Sequence, residues 1–441
     1  MGLVVLIFIM IMNKLFTIKD GKLFYGGFDL LTIAQEYQTP LKVSFLDLIK
    51  ERVETLKTSF DQAIKANNYG GHFYYLNANK ANYGMAEIVK SYQSADGLET
   101  SSYYDLILTK KIVLDPHKFI VSNGYKMKGY VDEVIEAFDH GQRIIDVIDD
   151  LGEYEMLKAS NRPIQIGLRI HIPSAYTVGE NDRFGLNDEE FNYILKDLKN
   201  TKLVLKMVHF HQRGFDYVDE LFEQNFCKVF ENYYVKASKM YESVDSFNMG
   251  GGTPLPIDGE FDYLAWADKV IKLLKKLAQK HQVQEPNLFS ENGKYSQKDA
   301  TVTIYKAVGT KYTNSYPWKL LDGSLLIAMP EHYALGEPIK VQAINGLSGP
   351  FEKVCLGGIT CDCDDVYFDH HLGYIEMPKV DELYVALLGT GSYQNSMNGK
   401  RGVHHCLLPE ERDLVVETID GKLTYKIRHE LQSIEEIMKI M

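Results

Sequence analysis

From about residue 44 the chain alternates helix-length amphipathic stretches with short apolar runs, and this alternation restricts the fold more than any other property of the sequence. Residues 45–66 place Leu48, Ile49, Val53 and Leu56 on one helical face, and residues 73–76 follow as an aromatic-rich strand. Further apolar runs at 119–121, 143–145, 164–172, 203–210 and 246–249 are separated by helix-length segments. Parallel strands need long crossovers, usually helices, so the order predicts parallel strands and, at this count, a (β/α)8 barrel. From about residue 300 the texture changes. Residues 300–308, 325–329, 339–343, 384–388 and 414–418 read as strands between Gly and Pro turns, which predicts a second, mainly antiparallel β-domain. The expected organisation is an N-terminal segment 1–43 contributing strands to the β-domain, a barrel over 44–299 and the β-domain over 300–441. A chain of 441 residues suits two domains, since single cores seldom grow past about 250–300 residues.

Charge narrows the partners. Sixty acidic residues against 48 basic ones give a net charge of −12, which argues against nucleic acid or an anionic membrane and favours a cationic small molecule. The five cysteines (Cys227, Cys355, Cys361, Cys363, Cys406) are odd in number and lack a CxxC pairing. Neither a disulfide framework nor a structural zinc site is expected, and the usage suits a reducing cytoplasm. The apolar residues 2–12 are preceded by no basic residue, followed by no small-residue cleavage site, and too few to span a bilayer. The expectation is an over-extended start with Met10 or Met12 as the true first residue, against a real hydrophobic extension or export signal.

Several residues could carry chemistry. Asn79-Lys80-Ala81-Asn82 lies just past the aromatic strand, where a barrel presents functional groups, and a lysine there can form a Schiff base. Taken alone, Lys80 would be a solvated surface lysine. Gly250-Gly251-Gly252 closes another strand; it is either a tight strand-to-helix turn or a backbone cradle for a phosphate, and it is neither the spaced dinucleotide fingerprint nor the Lys-Ser/Thr phosphate loop. His209 and His211 share one face of a strand and fit a structural pair, a flat surface against a ligand ring, or a metal site that lacks a third ligand at readable spacing. Glu291-Asn292-Gly293-Lys294-Tyr295 reads by itself as a polar turn. Thr360-Cys361-Asp362-Cys363-Asp364-Asp365 reads as a loop with a reactive thiol; its acids lack the glycine and terminal glutamate of a calcium loop, and no metal is expected.

The order of these motifs resembles the alanine-racemase-fold (fold type III) decarboxylases that use pyridoxal phosphate, the group of the diaminopimelate, ornithine and biosynthetic arginine decarboxylases. The series runs Lys-Ala-Asn at 80–82, Asp-Gly-Leu-Glu-Thr-Ser-Ser at 96–102, Asn-Gly-Tyr-Lys at 123–126, Leu-Arg-Ile at 168–170, Arg-Phe-Gly at 183–185, His-Phe-His at 209–211 and Gly-Gly-Gly at 250–252. It continues with Glu-x-Gly at 291–293, Gly-x-Thr-Cys-Asp at 358–362 and Gly-Ser-Tyr-Gln at 391–394. The wording at Gly-Leu-Glu, Asn-Gly-Tyr-Lys and Leu-Gly-Gly-Ile-Thr-Cys-Asp-Cys-Asp-Asp is most similar to the arginine decarboxylase branch.

The resemblance implies roles. Lys80 would hold pyridoxal phosphate covalently. Gly251 and Gly252 would cradle its phosphate with Tyr393 and Lys294, Glu291 would sit at the pyridine nitrogen, and His211 would stack on the ring. A carboxylate at that nitrogen separates these decarboxylases from the racemases of the fold, which place an arginine there. Cys361 would be the general acid and Asp362 would reach substrate, both from the partner subunit of a homodimer. Glu331, where the branch has a similar Pro-Asp-x-Trp, and Asp364 would face the far end of an arginine-like side chain. The implied reaction is decarboxylation of arginine to agmatine in polyamine biosynthesis. Citrulline giving N-carbamoylputrescine is the alternative, then ornithine, lysine or diaminopimelate. An inactive relative serving as a regulator or binding decoy is a reading of another class, against which stand the retained Lys80 and Cys361. Three departures stand out. Lys294 replaces the arginine of Glu-Pro-Gly-Arg, exchanging a bidentate fork for a point charge; Arg213-Gly214 replaces a Gly-Ser that contacts the phosphate; and Cys363 adds a thiol to the usual Cys-Asp-Ser.

Overall fold

A computed structural model describes residues 15–172, 183–212, 220–255 and 261–441. The apolar stretch 2–12 and Arg213-Gly214 lie outside the described residues. The described residues divide into two compact units, one within residues 49–255 and 261–296, the other of residues 15–48 and 297–441.

The first unit is a closed barrel of eight strands: β1 (Phe73–Ala78), β2 (Gly97–Thr100), β3 (Phe119–Ser122), β4 (Arg143–Ile148), β5 (Gln165–Arg169), β6 (Val204–His209), β7 (Ser246–Asn248) and β8 (Asn287–Asn292). Every neighbouring pair is parallel, and β8 closes onto β1. The side-chain period of two sorts each strand into an outer and an inner set. Outward, Phe73, Tyr75, Leu98, Ile120 and Ile144 join the helix layer, where Val53, Leu56, Phe60 and Ala63 recur at helical spacing. Phe60 stacks on Phe73 with ring centroids 3.9 Å apart. Inward, Leu76, Phe119, Val121, Ile145, Val147, Met207 and Phe289, with Tyr74 against them, form a separate apolar cluster. Each such buried side chain contributes about 1.5–3 kcal/mol of transfer free energy. This plug sits low in the barrel, so the next inward position on each strand, one step toward its C-terminal end, is where polar groups are presented.

The second unit carries a mainly antiparallel ten-stranded sheet. In it Leu41–Phe45 lies between Thr301–Lys311, antiparallel, and Arg412–Ile419, parallel, so the N-terminal stretch supplies a strand here. A further three-stranded sheet is formed by Phe16–Lys19, Lys22–Tyr25 and Phe28–Asp29. One expected strand is a helix: residues 325–329 form Leu325–Ala328, whose N-cap Ser324 accepts from the Ile327 N–H at 3.1 Å, followed by Pro330–Leu335 with proline in its first turn. Four apolar residues are too few to display a period, and the cap chemistry on either side decides.

Candidate active site

The inward positions above the plug collect acids, amides and imidazoles. Phe289 points in, so Glu291 does; Val121 points in, so Asn123 does; Met207 is followed on the same face by His209 and His211; and Glu99 is the inward neighbour of Leu98. Lys80 comes from the single turn Asn79–Ala81 directly after β1. Asn79 ties that turn down, its amide donating to Thr109 Oγ1 at 2.8 Å and Asp105 Oδ1 at 3.1 Å. Gly293, which follows β8, packs so closely on the same turn that a Cβ would lie 2.6 Å from the Cβ of Ala81.

A hydrogen-bonded chain joins these groups. Lys80 Nζ donates to Glu99 Oε1 at 3.1 Å. The Asn123 amide donates to Glu99 Oε1 and to Glu291 Oε1, both at 2.9 Å, bridging the two carboxylates. Asn248 Nδ2 gives Glu291 Oε1 a second bond at 2.8 Å, and His209 Nε2 lies 3.4 Å from Glu291 Oε2. Glu291 is buried, which opposes its charge, yet the adjoining His209, Lys80 and the Asn123 amide outweigh burial and hold the carboxyl well below the usual carboxylate range. The site therefore keeps an ionised carboxylate at the base of its mouth.

The glycine turn is anchored to the same strand. Asn248 Oδ1 accepts from the Gly250 N–H at 2.9 Å, and the Gly250 carbonyl accepts from the Glu291 N–H at 2.8 Å. A Cβ on Gly251 would lie 2.5 Å from the Glu291 carbonyl oxygen, so the turn admits no side chain there. The Gly251 N–H donates to His211 Nδ1 at 3.2 Å, which leaves the ring proton of neutral His211 on Nε2. His211 is half-buried by area but closely ringed by protein; burial, with Arg169 and Lys80 nearby, pulls its pKa down to about 3 and keeps the ring uncharged. Arg169 pairs with Asp149 at 3.4 Å beside Phe184 and Gly185, which brings the Leu-Arg-Ile and Arg-Phe-Gly motifs together.

This donor set fits the implied cofactor. An amine stands at a strand end for an aldehyde, a side-chain-free turn for a phosphate, an ionised carboxylate for a pyridine nitrogen and an uncharged flat ring for its face. The buried Glu99 Oε2 and Asn123 Oδ1 have no hydrogen-bond partner among the described residues, as expected of a mouth shaped for a polar ligand. Lys294 opens the short helix Lys294–Gln297 right after Gly293.

The expected residues thus fall into two groups. Lys80, His211, Gly251, Gly252, Glu291 and Lys294 belong to the barrel unit; Cys361, Asp362, Asp364, Glu331 and Tyr393 belong to the second unit. There the 358–365 loop is organised by buried Asp365, which accepts from Thr360 Oγ1 at 2.6 Å and from the Leu326 N–H at 3.0 Å. Cys361 and Asp364 are exposed and Asp362 half-buried, with the Asp364 N–H bonded to Asp362 Oδ1 at 2.9 Å. Glu331 is buried, and its carboxylate accepts from Gln394 Nε2 at 2.9 Å. Tyr393, next to that glutamine, adopts a left-handed φ of 63°. Strain of this kind at a non-glycine residue marks a position that the surroundings over-determine.

Glu99, Asn123 and Asn248 were not expected as site residues, and His209 was expected only as one of a histidine pair of open role. For Asn123 and His209 the readable signal is their place one inward step above Val121 and Met207; Glu99 and Asn248 follow Gly97 and Ser246 on that face and carry no such signal.

No family model matches the chain. It is 26% identical over 307 residues to the biosynthetic arginine decarboxylase of Prochlorococcus marinus (strain MIT 9515), covering 64% of this chain and 47% of that protein. To the biosynthetic arginine decarboxylase of Synechococcus sp. (strain RCC307) it is 24% identical over 334 residues, covering 68% and 52%. The chain thus spans about half the length of these curated relatives. Among solved structures, the biosynthetic arginine decarboxylase SpeA from Campylobacter jejuni superposes with a TM-score of 0.84 at 19% identity, over 98% of this chain and 89% of that one. Diaminopimelate decarboxylase from M. jannaschi does so with a TM-score of 0.79 at 22% identity, over 97% of each. The chain thus shares the fold of these solved decarboxylases, and its sequence is similar to that of biosynthetic arginine decarboxylases.

Proposed function

We propose that this protein is a pyridoxal-phosphate-dependent decarboxylase acting on an arginine-like L-amino acid, with arginine, converted to agmatine for polyamine biosynthesis, ahead of citrulline. The observation that carries the reading is the bonded chain Lys80–Glu99–Asn123–Glu291, which combines a strand-end amine with a buried, ionised carboxylate. When bound, pyridoxal phosphate supplies the electron sink that takes up the electron pair released as carbon dioxide leaves. Lys80 would hold it covalently, the Gly251 and Gly252 amides would meet its phosphate with Lys294 and Tyr393, and His211 would lie flat on its ring. Glu291 would hold a proton at the pyridine nitrogen; a neutral carboxyl could not do this as well. Uncharged His211 adds no competing cation to the ring. Cys361 would deliver a proton to the substrate Cα, for which it must be protonated, and the adjoining Cys406 thiol raises its pKa above the ordinary thiol value. No helix among the described residues is long and apolar enough to cross a membrane.

Assay of the purified protein against arginine, citrulline, ornithine, lysine and diaminopimelate, with products identified by mass, tests the proposal; a preference for ornithine or diaminopimelate overturns the arginine reading. Citrulline is favoured over those by one feature: Glu331 and Tyr333 stand where the branch carries a shorter acid and a tryptophan. If Glu331 faces the substrate tip, Glu331→Gln should lower kcat/KM for arginine by the equivalent of about 1–3 kcal/mol while sparing the uncharged ureido group of citrulline, because a charge-assisted hydrogen bond is lost. Equal losses on both substrates would place Glu331 in a supporting role through its bond to Gln394.

Because the acid Cys361 and the lysine Lys80 belong to different units, we also propose a homodimer with sites shared between subunits. Mixing Lys80→Ala with Cys361→Ala chains is then expected to restore activity, as each mixed dimer regenerates one intact site of two. No recovery after verified subunit exchange excludes sharing.

A further inference from the structure

In the second unit two cysteines far apart in sequence nearly touch. Cys361 Sγ and Cys406 Sγ are 3.3 Å apart, and both residues are exposed. The Cys361 backbone N–H donates to Cys406 Sγ at 3.4 Å, so the second thiol is aimed at the first residue's backbone as well as its side chain. The turn that presents it is unusual. Cys406 and Leu407 have φ of 58° and 53°, two successive non-glycine residues in the left-handed region, a conformation that each adopts at a cost of about 1–3 kcal/mol. His405 completes the cluster, its Nε2 3.7 Å from Asp362 Oδ2.

We propose that Cys361 and Cys406 are a redox modification site, closing reversibly into an intrachain disulfide. With a peroxide as oxidant, one thiolate attacks the peroxide oxygen to give a sulfenic acid and hydroxide; the second thiol attacks that sulfur, the S–S bond forms and water departs. Overall two thiols and hydrogen peroxide give a disulfide and two waters, the two electrons lost by sulfur being gained by the O–O bond. A dithiol reductant reverses the exchange. The same residues could instead grip a soft metal ion, but two thiolates on one tetrahedral zinc, with Zn–S of about 2.3 Å, stand about 3.8 Å apart. The observed 3.3 Å is shorter than that, and lies toward the roughly 2.05 Å of a disulfide. The consequence rests on the proposed function: oxidised Cys361 carries no proton to deliver, so the disulfide switches the enzyme off. Cys363, exposed two residues on, is the built-in control.

Reduced full-length protein is treated with hydrogen peroxide, alkylated and digested. The expected result is a Cys361–Cys406 linked peptide, a chain that still migrates as a monomer on denaturing non-reducing electrophoresis, and activity lost in proportion to the linked fraction and regained with dithiothreitol. Cys406→Ser and Cys406→Ala should form no link and lose the reversibility of inactivation. A link to Cys363, a link between chains, no link under oxidant sufficient to modify Cys361, or one zinc per chain held by both thiols would each overturn the proposal. Peptide mapping needs no activity, so a linked peptide in a protein inactive on every amino acid tested would sink the decarboxylase reading and leave the thiol pair standing.

Discussion

Lys80→Ala is expected to lower turnover by at least about 10³-fold, since the variant loses both covalent capture and the oriented amine that receives and releases product. Borohydride treatment of the wild type should fix pyridoxal phosphate on the peptide containing Lys80, and the variant should show no such tag. The structure sharpens this expectation. Glu99 Oε1 accepts from both Lys80 and Asn123, so removing the amine leaves Glu99 and Glu291 joined by one amide without the adjoining cation. The variant should therefore bind the cofactor weakly as well as fail to turn over, and absorbance titration separates the two effects. Tagging of a different lysine in the wild type would refute the assignment.

Glu291→Gln should be the second-largest loss, about 10²–10³-fold in kcat with a smaller change in KM, because the charge stabilises what develops during reaction more than it holds the ground state. Glutamine keeps the size and can still bond Asn123 and Asn248, but it cannot hold a proton at a pyridine nitrogen. The direction with pH follows from the carboxyl's depressed pKa. Its charge is present throughout the neutral range and is lost only in strong acid, so Glu291 should contribute no limb to the pH–rate profile between pH 5 and 9. A limb in that range that disappears in Glu291→Gln would show that the carboxyl titrates there and that His209 and the two amides do not hold it ionised.

Much of this architecture is legible in the chain because its strands obey period two and its crossovers are helix-length. The same period that made 73–76 a strand also fixes which of its residues meet helices and which fill the barrel. Motif order pointed to Lys80 and Glu291 as candidates; it did not single out Asn123 and Glu99, although both sit inside quoted motifs. An asparagine that bridges two carboxylates acquires its meaning from β2 and β8, strands nearly two hundred residues apart, and no local pattern carries that pairing. Residues 325–329 went wrong for the opposite reason: five apolar side chains satisfy strand and helix alike, and Ser324 and Pro330, the punctuation around them, hold the answer. The approach of Cys406 to Cys361 depends on a left-handed turn built without glycine, which nothing in the sequence marks.

The anchoring of Gly250 and Gly251 to β8 has a metrical consequence. The Glu291 N–H holds the Gly250 carbonyl, and the Gly251 Cα abuts the Glu291 carbonyl, so the glycine turn and the buried carboxylate are successive marks on one stiff ruler. A ligand that engages both is measured by length before any of its chemistry is consulted, and one lengthened or shortened by a single methylene between its two polar ends can satisfy one mark at most.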